Sequence, residues 1–252
     1  HQEARRQRQM CIRDSMYGHC FATIALAEAY GMSGDLDMSK KLRMAVNLIV
    51  NAQHKDGGWR YTPGHLNDHS DSSVTVSALM ALRAARNCGI HIDKKRTIAP
   101  AIAYVKKCYN AGFYKTFCYQ AKDAIDQRTT FALSACGVTA LLALGEHNDF
   151  RIKNAIQYME KPGVRPSNSS YVHHPFYFYA HYYGIQAYYN YALKNKKGAE
   201  LWRNYFTKLR NELLAQQRKD GSWTDQVGPA FSTAMACTLL QVPGGLLPIF
   251  ER

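Results

Sequence analysis

The sequence lacks any apolar run of the roughly 18 residues that a membrane-spanning helix needs. It also lacks a charged and then apolar secretory leader at its start. Its seven cysteines are odd in number, scattered and without a Cys-x-x-Cys pair, which argues against a disulfide framework and a structural zinc knuckle. We therefore expect no transmembrane segment and favour a reducing compartment such as the cytoplasm.

Carboxylates are also scarce: the sequence has 19 aspartates and glutamates against 32 lysines and arginines, which gives a net charge of +13. The basic residues come in small groups on polar helix faces and at helix ends, and no nucleic-acid motif accompanies them. We therefore predict a solvated basic surface and no specific nucleic-acid partner. Anionic substrates and peripheral contact with a membrane surface are the alternatives.

The sequence has no strand-like runs in which polar and apolar residues alternate. Instead, two kinds of predicted helix alternate along the chain. Helices of the first kind are apolar nearly all round, which is typical of buried helices, and those of the second are amphipathic. This order predicts an all-α chain in which an inner ring of helices is wrapped by an outer ring. The apolar helices are expected to begin near residues 16, 72, 129, 176 and 229, and the amphipathic ones cover about 39–53, 96–109, 149–159 and 198–217.

The ring is expected to be incomplete at the N-terminus, because the predicted helix pairs are too few to close it. Residues 16–252 form the predicted helical domain. Residues 1–15 are polar and basic and are expected to form a poorly defined N-terminal segment.

One element occurs twice with nearly the same spacing. An aliphatic residue and a glutamine lie four positions apart on one helix face, and an Asp-Gly pair then ends the helix before a tryptophan. We predict that the tryptophan folds back over the helix end while the glutamine amide bonds to backbone groups, so that each copy is a structural staple. The copies are Ile49, Gln53 and Trp59, and Leu213, Gln217 and Trp223, with a worn copy at Val105, Tyr109 and Phe113.

These Gln…Gly-x-Trp repeats resemble the QW motifs of squalene and oxidosqualene cyclases. The apolar helices resemble the prenyltransferase and squalene-oxidase repeat, which also occurs in protein prenyltransferase β subunits. The resemblance covers about residues 16–252 and implies an α/α toroid whose central cavity holds an isoprenoid or another apolar small molecule. The same toroid also hosts non-terpenoid functions, so the reaction has to be argued from the site.

The acid motif of squalene–hopene-type cyclases, Asp-x-Asp-Asp, aligns with residues 68–71 (Asp-His-Ser-Asp) when the downstream Ala-Leu is matched. The resemblance makes the third position of the motif the proton donor, and here that position is Ser70. A serine hydroxyl cannot protonate an alkene. We therefore predict no squalene cyclisation, with Asp68 and Asp71 retained as candidate ligand-binding and catalytic residues.

The resemblance to protein prenyltransferases implies zinc held by Asp, Cys and His. His181 stands on a suitable helix, but no Asp-x-Cys precedes it, so a zinc-thiolate centre is not supported. The remaining hypothesis places His19, Asp71 and His181 near the N-terminal ends of inner helices, at one mouth of the ring. There they are candidate catalytic residues or ligands of a divalent metal, the cofactor being otherwise unidentified. A plain helix cap is the alternative for Asp71, and a hydrogen-bonded histidine is the alternative for His19 and His181.

A tyrosine-rich apolar helix supplies three further candidates, Tyr179, Tyr182 and Tyr183, which would line a cavity for an apolar ligand or a carbocation. Part of this aromatic run is expected to be core. The function hypotheses are an isoprenoid-binding or isoprenoid-transforming protein, a non-catalytic binding or scaffold module, and an enzyme such as a polysaccharide lyase acting on an acidic polymer.

Overall fold

The structure is a computed structural model that describes residues 15–63, 69–121, 128–166 and 176–245. Helices dominate these ranges, and the strands there are two residues long, β1 (Tyr109–Asn110) and β2 (Thr116–Phe117). The predicted all-α class is therefore confirmed. The helices are α1 (Met16–Ser33), α2 (Leu36–Asn51), α3 (Ser72–Asn87), α4 (Ala99–Lys107), α5 (Phe131–Ala143), α6 (Phe150–Met159), α7 (Tyr177–Lys194), α8 (Lys196–Gln216) and α9 (Pro229–Gln241).

The alternation of helix types follows the sequence pattern closely. The apolar helices α1, α3, α5, α7 and α9 begin at residues 16, 72, 131, 177 and 229. Amphipathic helices α2, α4, α6 and α8 separate them. A π-helical turn, Lys94–Ile98, leads into α4, and a 3₁₀ turn, Val242–Gly244, follows α9. The predicted N-terminal segment, residues 1–15, lies outside the described residues except for Ser15.

The chain divides into two compact units. The first comprises His1–Ala111 and Cys118–Arg128, and the second comprises Gly112–Phe117 and Thr129–Arg252. In the first unit α1 packs against α3, and α2 packs against both. Nearly every side chain of α3 is buried. This burial is possible because its serines, alanines and threonine are small enough for neighbouring helices to approach on several sides.

In the second unit α5 and α7 form the centre. Every residue of α5 is buried, and α5 packs against α6 and α7, while α8 and α9 pack on α7. Glycines permit this closeness, because a Cβ at Gly184 would come within 2.5 Å of the Tyr205 hydroxyl. At Gly137 a Cβ would lie 2.3 Å from the ring of Phe117. Larger residues at either glycine would push the packed elements apart.

Both predicted staples are present with matching hydrogen bonds. In the first unit the Trp59 indole N–H donates to the Ile49 carbonyl over 2.7 Å, and the Gln53 amide donates to the Gly57 carbonyl over 2.8 Å. The same amide also donates to the carbonyl of Thr97 over 2.9 Å. The glutamine therefore ties the turn after α2 to the π-helical turn that leads into α4.

The second staple repeats this geometry inside the second unit. The indole N–H of Trp223 donates to the Leu213 carbonyl over 2.8 Å, and the Gln217 amide donates to the Gly221 carbonyl over 3.0 Å. The backbone N–H of Trp223 also donates to the Thr233 hydroxyl of α9 over 3.1 Å. Trp59 makes the equivalent bond to Thr75 of α3 over 3.0 Å. Each staple therefore joins the end of an amphipathic helix to the start of the next apolar one.

The worn third copy does not supply a buried aromatic at Phe113, whose side chain is 82% exposed. Phe117, four residues later, is fully buried instead and packs on Gly137 of α5. Beside it, the Thr116 hydroxyl donates to Ser134 of α5 over 2.7 Å. The worn copy at Val105, Tyr109 and Phe113 therefore lacks the buried aromatic that the two staples have at this position.

Candidate functional site

The first unit contains a polar cluster built around Asp71, the residue immediately before α3. Its side chain is fully buried. Its Oδ1 accepts a hydrogen bond from the Ser73 hydroxyl over 2.6 Å and another from the Val74 backbone N–H over 2.8 Å. These bonds are those of a helix N-cap, which stabilises a helix by about 1 kcal/mol. The cap alternative for Asp71 is therefore correct, and a second set of contacts on Oδ2 goes beyond it.

Three tyrosine hydroxyls are connected to this carboxylate, one directly and two through another hydroxyl. Tyr119 donates to Asp71 Oδ2 over 3.4 Å, and its hydroxyl lies 2.7 Å from that of Tyr61. On the other side Tyr17 donates to the Ser73 hydroxyl over 2.5 Å. We call Tyr17, Tyr61, Asp71, Ser73 and Tyr119 the Asp71 cluster. Its members come from the first turn of α1, from the segment after Trp59, from the start of α3 and from the segment after β2.

The hydroxyl hydrogen bonds of the Asp71 cluster all lead toward the Asp71 side chain. A hydroxyl has one proton to donate. Ser73 and Tyr119 give theirs to Asp71, so Tyr17 must donate to Ser73 and Tyr61 must donate to Tyr119. Two short relays therefore end at one buried carboxylate. A phenol that donates its proton keeps two lone pairs, so the outer tyrosines can accept hydrogen bonds from a ligand.

The electrostatics favour protonated tyrosines. Burial raises the pKa of Tyr119, and the negative charge of Asp71 raises it further, so this phenol is a donor at neutral pH. Burial also raises the pKa of Asp71, an effect opposed by its bonds to Ser73 and Val74 and by the positive charge of Arg60. The net effect is a raised pKa, so the folded protein disfavours the ionised form of Asp71, and the bonds to Ser73 and Val74 partly offset this.

Two arginines lie over the rings of Tyr61 and Tyr119. The guanidinium carbon of Arg60 is 5.7 Å from the centre of the Tyr61 ring, and that of Arg128 is 5.0 Å from the centre of the Tyr119 ring. Both distances are in the range of cation–π contacts. Arg60 also donates to the carbonyl of His69 over 2.7 Å. Two positive charges therefore flank the exposed side of the cluster.

Ser70 occupies the position of the expected proton donor and has a structural partner. Its hydroxyl donates to Asp56 of the first staple over 2.6 Å, and it is fully buried. Its carbonyl accepts a hydrogen bond from Tyr104 of α4. The candidate ligand residue Asp68 lies outside the described residues.

His19 and His181 each have partners of their own. The Nε2 of His19 lies 2.9 Å from the Ala45 carbonyl of α2. In the second unit His181 is fully buried, with Nε2 3.2 Å from the Pro166 carbonyl and Nδ1 2.7 Å from the Tyr205 hydroxyl. A carbonyl can only accept, so Nε2 carries a proton in both histidines, and the Nδ1 of His181 pairs with the Tyr205 hydroxyl.

His181 belongs to a buried polar network between α7 and α8. Arg165 makes a two-pronged ion pair with Glu212 of α8, over 2.8 and 3.0 Å. Tyr177 of α7 donates to the same carboxylate over 3.1 Å. The Arg165 guanidinium also lies over the Tyr205 ring. These satisfied bonds give His181 a role in holding the two helices together.

The predicted trio is thus distributed over both units, with His19 and Asp71 in the first and His181 in the second. Across the described ranges, no group of three or more His, Cys, Asp and Glu residues is arranged to hold a metal ion. The convergence of the three residues stays a prediction. Hydrogen bonds bring Asp71 together with tyrosines, which the sequence hypothesis had not placed there.

The three candidate tyrosines of α7 contact one another. Tyr182 and Tyr183 are buried, and Tyr179 is partly exposed. The ring centres of Tyr179 and Tyr183 are 4.9 Å apart, and those of Tyr182 and Tyr183 are 5.0 Å apart, in edge-to-face geometry. The Tyr179 hydroxyl lies 3.3 Å from the sulfur of Cys136 in α5. Their part in ligand binding stays a prediction.

Sequence reasoning missed most of the Asp71 cluster and both arginines. A signal existed for two of them, because Arg60 and Tyr61 directly follow the tryptophan of the first staple. Tyr119 had no such signal, since it is 48 positions from Asp71 and lies in no recognised motif.

Comparison with known proteins adds no assignment. No family model matches the chain, and no curated protein matches it either. Among the described helices none is both long and apolar enough to span a bilayer.

Proposed function

We propose that this chain is an α/α toroid protein of the terpene-cyclase and protein-prenyltransferase type, and that its Asp71 cluster binds an isoprenoid or similar apolar ligand carrying a hydroxyl group. The alternation of apolar and amphipathic helices and the two staples support the fold. The observation that carries the function is the contact between the Tyr61 and Tyr119 hydroxyls, 2.7 Å apart over the buried carboxylate of Asp71.

The direction of the protons supports a ligand that donates a hydrogen bond. With Tyr17 donating to Ser73 and Tyr61 donating to Tyr119, a phenol oxygen that meets a ligand at this cluster does so as an acceptor. The aromatic rings around these oxygens suit an apolar carbon chain, and the ring centres of Tyr17 and Tyr61 are 5.8 Å apart. A prenyl alcohol combines both features.

We propose that the protein binds this ligand and does not protonate an alkene. The acid position of cyclases holds Ser70, whose hydroxyl is bonded to Asp56. The arginines at Tyr61 and Tyr119 favour a second candidate, an acidic sugar polymer whose carboxylates they would neutralise. In that case the tyrosines would hydrogen-bond to the sugar hydroxyls.

Isothermal titration with geraniol tests the proposal. Removing the Tyr61 hydroxyl in Tyr61→Phe takes away one hydrogen bond, so we expect binding to weaken by about fivefold. Tyr30→Phe is the matched control, since Tyr30 lies at the other end of α1 from Tyr17, and it should leave the affinity unchanged. A hydrocarbon of the same length without the hydroxyl should bind more weakly than geraniol.

Two results would overturn the isoprenoid assignment. One is equal affinity of wild type and Tyr61→Phe for geraniol. The other is that wild type binds an oligogalacturonate but not geraniol, and that the double variant Arg60→Gln with Arg128→Gln binds the oligogalacturonate more weakly. That second result would establish the acidic-polymer candidate instead.

A further inference from the structure

A separate cleft opens at the other end of α3, where the chain leaves that helix and turns toward α4. It lies within the first unit and has a volume of about 490 Å³. Pockets that bind small ligands span about 300–1,000 Å³, so this cleft is in the lower part of that range. Its lining comes from one short stretch of chain: Arg86, Ile90, His91, Ile92, Asp93 and Lys94.

Local backbone bonds build the wall of the cleft. Gly89 has φ +81°, a left-handed conformation that ends α3 and turns the chain. The N–H of Ile90 then donates to the Ala85 carbonyl over 3.1 Å, and the N–H of Gly89 donates to the Arg86 carbonyl over 3.0 Å. These bonds satisfy carbonyl groups at the end of α3, so the wall does not depend on the ligand for its shape.

The only carboxylate in this lining is already engaged. Asp93 caps the following helical segment, with Oδ1 accepting from the backbone N–H groups of Lys95 over 2.8 Å and Arg96 over 3.0 Å. These backbone bonds lower the pKa of Asp93, which therefore stays ionised as a cap. Within the lining, Arg86 and Lys94 supply two positive charges against the one negative charge of Asp93.

Arg83 lies on the same part of α3, close enough to Arg86 for the two charges to interact. Arg83, one turn before Arg86 on α3, has a pKa lowered first by burial and then by the charge of Arg86. Ile90 and Ile92 are buried, at 4% and 6% exposure, and form an apolar floor beneath the charged rim.

We infer that this cleft binds the phosphoryl group of a small ligand, through Arg86 and Lys94, with His91 at its edge. Phosphate geometry suits an arginine fork together with a lysine point charge. The site is separate from the Asp71 cluster, because the two lie at opposite ends of α3. It therefore does not rest on the function proposed for that cluster.

Isothermal titration with inorganic pyrophosphate at low ionic strength tests the inference. Replacing both cations in the double variant Arg86→Gln with Lys94→Gln should weaken binding by at least about tenfold, since two charge-assisted contacts are lost. The matched control is Lys40→Gln with Arg43→Gln, which removes two charges from the exposed face of α2. That control should change the affinity by less than about twofold.

Other outcomes contradict the inference. Absence of pyrophosphate binding by wild type would refute the site. Equal weakening in the cleft variant and in the α2 control would show only a general attraction to a basic protein. Thermal melts of all variants identify loss of folding, and a cleft variant that melts like wild type but binds pyrophosphate equally well overturns the assignment. Tyr61→Phe should leave pyrophosphate binding unchanged, which separates this result from the test of the Asp71 cluster.

Discussion

Trp59 donates its indole N–H to the carbonyl of Ile49 over 2.7 Å, and its ring is wholly buried. The donor and acceptor are ten positions apart on either side of a helix end, so this one bond closes the turn between two successive helices. Trp223 and Leu213 repeat the relationship over 2.8 Å at the same spacing. A buried polar N–H is costly when it has no partner, so the bond and the buried ring support each other.

Trp223→Ala should lower the free energy of unfolding by about 3–5 kcal/mol, because a large buried ring is lost and a cavity remains. Trp223→Phe keeps most of the ring but loses the bond to Leu213, so it should cost less. Urea denaturation gives both values. Leu214→Ala is the control, since Leu214 is 54% exposed, and an Ala variant of Trp223 no less stable than that control would disprove the staple.

Gly57→Ala and Gly221→Ala form a matched pair across the two staples. Both glycines have positive φ, at 96° and 82°, so alanine should be strained at each by about 1 kcal/mol. A Cβ at Gly57 would also lie 2.3 Å from the Pro100 carbonyl oxygen, whereas no atom is within 4 Å at Gly221. Gly57→Ala should therefore lower the melting temperature clearly more, and equal shifts would contradict this packing.

Asp71→Asn should alter how stability depends on pH. Burial raises the pKa of Asp71 in the folded protein above its unfolded value of 3.8. Folding therefore favours the protonated acid, and stability contributed by Asp71 is lost as the pH rises through that range. Wild type should be more stable relative to Asp71→Asn at pH 4 than at pH 7, by urea denaturation at both. A difference that is the same at the two pH values would refute the raised pKa.

His54→Leu tests a buried side chain whose two ring nitrogens have no hydrogen-bond partner among the described residues. The side chain is 5% exposed, and an unpaired buried polar group costs about 1–3 kcal/mol. The substitution should therefore leave stability unchanged or raise the free energy of unfolding by about 1 kcal/mol in urea. A loss of more than about 1 kcal/mol would mean that the histidine bonds to something that leucine cannot replace.

Squalene should yield no cyclic products with this protein. The expected acid position is Ser70, a buried hydroxyl bonded to Asp56, and neither a hydroxyl nor an engaged carboxylate can protonate an alkene. Gas chromatography of extracts after incubation with squalene measures this. Hopene-like products that disappear in Asp71→Asn would reverse the conclusion and make Asp71 the acid.

The helices and staples were predictable because their causes are local. Apolar residues at helical spacing, an Asp-Gly stop and a glutamine four positions after an aliphatic residue act within a few turns of chain. The start of α3 after Asp71 and the burial of Trp59 follow from such signals. The third copy shows their limit, since Phe113 matched the pattern while packing against Gly137 selected Phe117.

By itself the sequence determined the all-α class and, to within two residues, the starts of the apolar helices. Only the tertiary structure decided that Tyr61 and Tyr119 meet over Asp71, and that Arg86 and Lys94 line a cleft. Helix-forming signals depend on neighbours within a few residues. Contacts between residues tens of positions apart depend instead on how the chain reverses between helices, and no short pattern encodes that path.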